Sequence, residues 1–218
     1  MTQANQTNQT DFVEALICDL EPVRRARPWS HAMFIWCGLS WCLVGGVILT
    51  IGPLREGITG ELLASPRLAL ELAIGIIAGI AAIAAGLELG VPGSPATPRL
   101  SSAPLLLFAA WVLIILFEFV NPIGEPPSSA MRAHCFLQTM LVSLPSATMA
   151  LYLLQGRILF DTGRAGLLVG TAAAAVPALW MELSCMNEPM HALQFHLSPI
   201  LLIGAITALI AHRLLARP

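Results

Sequence analysis

Long apolar runs alternate with short polar breaks along this chain, and the apolar runs share one length. Near Trp29–Ile51, Leu68–Leu89, Pro104–Val120, His134–Leu154, Gly166–Leu183 and His191–Arg213, each run approaches the ~20 residues a helix needs to cross a bilayer. The breaks carry strong turn chemistry: Gly52-Pro53, Val91-Pro92-Gly93-Ser94-Pro95, Asn121-Pro122-Ile123-Gly124-Glu125-Pro126-Pro127 and Gln155-Gly156. The pattern predicts an all-α polytopic membrane protein, a bundle of six transmembrane helices.

The N-terminal pattern differs. Met1–Thr10 is rich in Gln, Asn and Thr and is expected to be disordered. Asp11 and Glu14 then have the spacing of a capping box. Phe12, Leu16 and Leu20, flanked by Val13 and Ile17, make one apolar stripe at helical spacing. Pro22 ends that short helix, because the residue before a proline is driven out of the helical region. The expected division is a cytoplasmic tail over 1–28 and a membrane domain over 29–218.

Composition sharpens this picture. Of 218 residues, 56% are hydrophobic and only 11% charged, with a mean hydropathy of +0.77. Soluble domains carry about a quarter charged residues, so little of this chain is left for one. The net charge of −2 offers no basic field, which argues against direct nucleic-acid binding. All eleven positive charges are Arg, and their placement sets an orientation. With the tail inside, Arg24, Arg25, Arg27, Arg99, Arg157, Arg164, Arg213 and Arg217 are cytoplasmic, and Arg55, Arg67 and Arg132 are external. Both termini are therefore expected in the cytoplasm. Met1–Thr10 lacks the basic and apolar regions of a cleavable signal, so the first span is expected to direct insertion.

This orientation places the densest chemistry outside. Met181–His196 gathers Met181, Cys185, Met186, Met190 and His191, donors that suit copper or zinc. Cys135, beside His134, opens the fourth span at the same membrane face. Three readings of the cysteine pair stand: apolar filler at helix ends, a disulfide if the Cα atoms approach within about 7 Å, or a soft-metal site with His134, His191 and Glu182. His196 lies about a turn and a half inside the sixth span and faces either the site or a neighbouring helix. Glu182 and Glu118 are ionisable groups near an interface, either functional or snorkelling to water; Glu71 and Glu88 fall in the second class. Cys37 and Cys42 are about 140° apart around a helix and read as packing. Small residues crowd the second and fifth spans, as close helix packing demands. Pro145 and Pro177 should kink the helices that hold them.

The tail helix has an acidic polar face, with Asp11, Glu14, Asp19 and Glu21. Anionic headgroups repel such a face, so a basic groove on a protein is the better partner for its apolar stripe. The chain resembles the NrsF-type family, negative regulators of sigma F, which are six-span bacterial membrane anti-sigma factors. The resemblance rests on Asp19-Leu20-Glu21-Pro22-Val23-Arg24-Arg25, a cysteine entering span four, Cys185-Met186-Asn187-Glu188-Pro189-Met190-His191 before span six, and the closing His212-Arg213-Leu214-Leu215. The family often has His-Cys-Pro at the second cysteine, where this chain has Ser184-Cys185-Met186.

The resemblance implies an inner-membrane protein without catalytic activity. Its tail (Phe12, Leu16, Asp19, Leu20, Pro22, Val23, Arg24) would hold an extracytoplasmic-function sigma factor. Its outer-face cysteines would sense heavy metal or oxidant. The expected sensing set is Cys135, Cys185, His134, His191, Glu182, Met186, Met190 and His196, with a copper or zinc ion as the signal ligand. The alternatives are a small permease, for which no internal repeat is visible, and a membrane thiol-redox protein, for which CxxC is absent.

Overall fold

The computed structural model describes residues 18, 28–50, 54–89, 98–120, 134–157, 159, 161–185 and 188–215. Six of its helices are long and apolar enough to cross a membrane. They are α1 (Trp29–Thr50), α3 (Pro66–Glu88), α4 (Pro98–Val120), α5 (His134–Gln155), α6 (Thr162–Ser184) and α7 (Pro189–Leu215). A short helix, α2 (Ile58–Ala64), precedes α3. No strand occurs among the described residues. The protein is an all-α polytopic membrane protein. Of the tail, only Cys18 and Pro28 are described, and both are exposed; the residues of the expected partner-binding stripe lie outside the described residues.

Local chemistry explains the boundaries. Ser65 caps α3 by accepting a hydrogen bond from the Leu68 amide, and Pro66 fills the first helical position, where a missing N–H is harmless. Asp161 caps α6 through the Arg164 amide at 2.9 Å. The sequence pattern starts the third span at Pro104, whereas α4 begins at Pro98 and runs through Pro104. Membrane helices tolerate an internal proline because neighbouring groups satisfy the freed carbonyl. Gly57, with φ 78, makes the turn into α2, a backbone region that L side chains rarely adopt.

Helix α6 is the axis of the bundle. Its span is 83% buried, against 22–44% for the others, and it packs along α3, α5 and α7. Its surface is built from Ala172, Ala173, Ala174, Ala175 and Ala178, with Gly166 and Gly170 facing α7. These small residues let the backbones close in without a hydrophobic driving force. The Thr207 hydroxyl on α7 lies 2.8 Å from the Gly166 carbonyl, a contact between helices that closeness alone permits. α1 is joined to α5 where the Trp36 indole donates to the Ser146 carbonyl at 2.9 Å. Phe34, Leu49, Leu106, Leu113, Phe117 and Leu201 stay exposed around the perimeter, which is the surface a bilayer covers.

Candidate metal centre

Three helix ends meet at the membrane face opposite Trp29 and Leu215. They are the start of α5, the end of α6 and the start of α7. Cys135 sits in the first turn of α5, and Cys185 is the residue that terminates α6. Their sulfur atoms are 2.9 Å apart, and both residues are buried. Alongside them lie His191 and His196, also buried. One donor atom from each of the four residues falls within 4.8 Å of every other.

The two histidines converge because of a local irregularity. Five residues apart on a regular α-helix, they would point about 140° away from each other. Between them, however, Ala192–Leu197 winds as a π-helix, with the Ser198 amide bonded to the Leu193 carbonyl. A turn closed by five-residue bonds carries His196 round onto the face of His191. The rings then stand perpendicular, with centroids 5.1 Å apart. Phe195 packs against His191 at 4.9 Å. Glu188 fixes the start of α7 by accepting from the amides of Met190 at 3.2 Å and His191 at 2.7 Å.

The donor set fits a soft or borderline metal ion. Nε2 of His191 and both ring nitrogens of His196 are buried without a conventional hydrogen-bond partner among the described residues. Buried imidazole nitrogens are ordinarily satisfied, and a metal ion that takes the lone pair of one nitrogen on each ring would satisfy two of these three. Two sulfurs and two imidazoles match the tetrahedral preference of zinc-like ions. The sulfur pair also has the alternative chemistry of a dithiol.

The other expected donors are placed elsewhere. His134 is exposed, one position away from Cys135 on a helix and so turned off its face. Met190 is likewise 45% exposed. Met186 lies outside the described residues. Glu182 is buried but is not among the convergent donors. Neither of its carboxylate oxygens has a hydrogen-bond partner among the described residues. Glu71 is buried rather than at an aqueous rim, and Glu118 does not snorkel: it is buried and paired with Arg67. These placements follow from α3 and α4 packing with acidic positions inward, which apolar spacing alone does not reveal.

Sequence reading misses Arg55. It belongs to the connection between α1 and α2, yet it is bound to the end of α6. Its amide donates to the Leu183 carbonyl at 3.1 Å and its guanidinium Nη1 to the Cys185 carbonyl at 2.9 Å. Nη2 pairs with Glu61 at 2.5 Å. No spacing rule connects residues so distant in sequence; only the unsatisfied carbonyls expected at any helix C-terminus hint at a cationic cap.

Residues 16–216 match the sequence model of one family, NrsF, described as negative regulator of sigma F. Neither a curated protein nor a solved structure matches the chain.

Proposed function

Since this chain belongs to the NrsF family of negative regulators of sigma F, we propose that it is an inner-membrane sensor that holds an extracytoplasmic-function sigma factor through residues 11–28. In this reading a thiophilic divalent cation, zinc-like in its preferences, binds Cys135, Cys185, His191 and His196 from the outer face. Both termini are cytoplasmic, and the chain catalyses nothing. The observation that carries the reading is the convergence of four buried donors from three helix ends within 4.8 Å.

The chemistry belongs to the residues. Binding removes the thiol protons, and the thiolates and neutral imidazoles supply the lone pairs. Because the donors come from α5, α6 and α7, drawing them to metal–ligand distances changes how those ends pack. A complete switch, from 1:99 to 99:1, needs a differential affinity of about 10⁴-fold between the holding and releasing states. A second reading rests on the sulfur separation of 2.9 Å. An oxidant such as a peroxide would take two electrons from the thiols, which lose two protons and join at about 2.05 Å.

The test uses the full chain in membranes together with its sigma factor. Wild type is expected to bind one zinc ion per chain and release the sigma factor when zinc is added. Cys135→Ser and Cys185→Ser should retain the sigma factor and lose zinc binding and release. Normal release by either variant under both zinc and peroxide would sink the sensor reading. A peptide covering residues 11–28 should compete with the membrane protein for the sigma factor.

A further inference from the structure

A sensor of this kind must pass its state from the cluster to the tail, and the tail is continuous with α1. α1 does not supply any of the four donors. In the sequence it ends five residues before Arg55, and Arg55 is bonded to the residue that ends α6. We propose that Arg55 is the positioning residue that carries the state of the Cys/His cluster to α1. This rests on the sensor reading above.

The geometry is that of a two-sided clamp. On one side, the Arg55 amide and guanidinium hold the carbonyls of Leu183 and Cys185. Those carbonyls belong to the last turn of α6, whose partial negative charge attracts a cation. On the other side, the same guanidinium holds Glu61 of α2 at 2.5 Å. A planar fork can grip a carbonyl and a carboxylate at once, and an ammonium of one centre cannot reproduce that geometry. The Cys185 carbonyl is part of the residue whose sulfur faces Cys135, so a backbone shift at the end of α6 that draws that sulfur into a new bond moves the carbonyl too. Arg55 must follow or let go, and α1 ends only five residues before it in the sequence.

A 22-residue helix rises about 33 Å, enough to cross the hydrocarbon core. A displacement at the Thr50 end of α1 is therefore delivered to the Trp29 end as a rigid-body movement. α1 is suited to this role, since it is among the least buried of the six spans. Its indole bond from Trp36 to the Ser146 carbonyl of α5 supplies a pivot partway along.

The experiment compares wild type, Arg55→Gln, Arg55→Lys and Glu61→Gln as full-length chains in proteoliposomes, with the sigma factor bound. Zinc binding and zinc-induced release are measured on the same preparation, with peroxide as a second stimulus. Arg55→Gln is expected to bind zinc as wild type does and hold the sigma factor at rest, yet release about tenfold less of it at saturating zinc, a typical loss of coupling. Arg55→Lys should show the same defect because it keeps the charge and loses the fork. Glu61→Gln leaves Arg55 in place and should be weaker in the same direction, so a poorly folding Arg55 variant does not decide the matter. Release at the wild-type level from Arg55→Gln or Arg55→Lys overturns the proposal. So does joint loss of zinc binding and resting sigma retention in all three variants, which would make Arg55 a fold element only. If wild type itself answers neither zinc nor peroxide, the sensor reading falls first and this proposal with it.

Discussion

Single residues set how closely the helices approach. A Cβ added at Gly170 would overlap the Thr207 hydroxyl and sit 2.8 Å from Thr207 Cβ and 3.0 Å from Gly204 Cα. Two of those neighbours are backbone or branched side-chain atoms on α7 with little freedom to yield. Gly170→Ala should therefore cost about 1–3 kcal/mol through overpacking. For a chain of this size each kcal/mol lowers Tm by roughly 2–4 °C. Gly45 has open space around the same position. Gly45→Ala should be neutral, or stabilising by up to about 1 kcal/mol, because alanine loses less backbone freedom in a helix. Thermal unfolding of both variants in the same detergent checks the pair, and equal midpoints would show that the α6–α7 approach is looser than these distances.

At the scale of elements, the six spans were legible because a bilayer imposes a length, and the chain repeats that length six times. Their ends were less so. Pro104 reads as a start when only its ring is considered, but a proline six residues earlier already opens α4. α2 is seven residues long and hangs on one left-handed glycine, so it lacks the periodic signal that reveals a helix. The site was legible as chemistry and illegible as geometry. Cys135, Cys185 and His191 stand out because they group at the same membrane face in a chain with few charged residues. His196 could not be paired with His191 by spacing, because the π-turn that pairs them breaks the α-helical rule on which spacing arguments rest. His134 and Met190 are donors by residue type, but both are exposed and neither joins the four convergent groups.

The π-turn makes a definite prediction. It holds one more residue than a regular helix would, and exposed Gln194 lies within it. Deleting Gln194 should let the segment wind as α-helix while leaving the two histidines four apart, still on one face. Zinc binding by this deletion variant is expected to survive. Inserting an alanine beside Gln194 should instead rotate His191 away from His196 and weaken binding by more than about tenfold, as loss of one ligand's alignment does. Competition against a chromophoric chelator distinguishes the two. Abolished binding in the deletion variant would mean that the π-turn is more than a register adjustment.

The whole molecule is asymmetric, and its asymmetry decides what the cluster can sense. The four donors, α2 and Arg55 lie at one face; the start of α1 and the end of α7 lie at the other. Arginine is three-to-eight across the two faces, and basic loops are retained in the cytoplasm during insertion. The cluster should then face the outer, oxidising compartment, where thiols are exposed to incoming metal ions and peroxides, and the tail should reach the compartment that contains sigma factors. Native Cys135 and Cys185 are too buried to report this, so sidedness is better read from single cysteines at exposed loop positions. In a chain whose five native cysteines are replaced by serine, Glu56→Cys should react with a membrane-impermeant maleimide in intact spheroplasts. Arg164→Cys, exposed near the other face, should react only after the membrane is opened. The reverse pattern would put the cluster among reduced cytoplasmic thiols and the tail outside. No sigma factor could then be held, and the four donors would need another explanation, with a structural metal the first to consider.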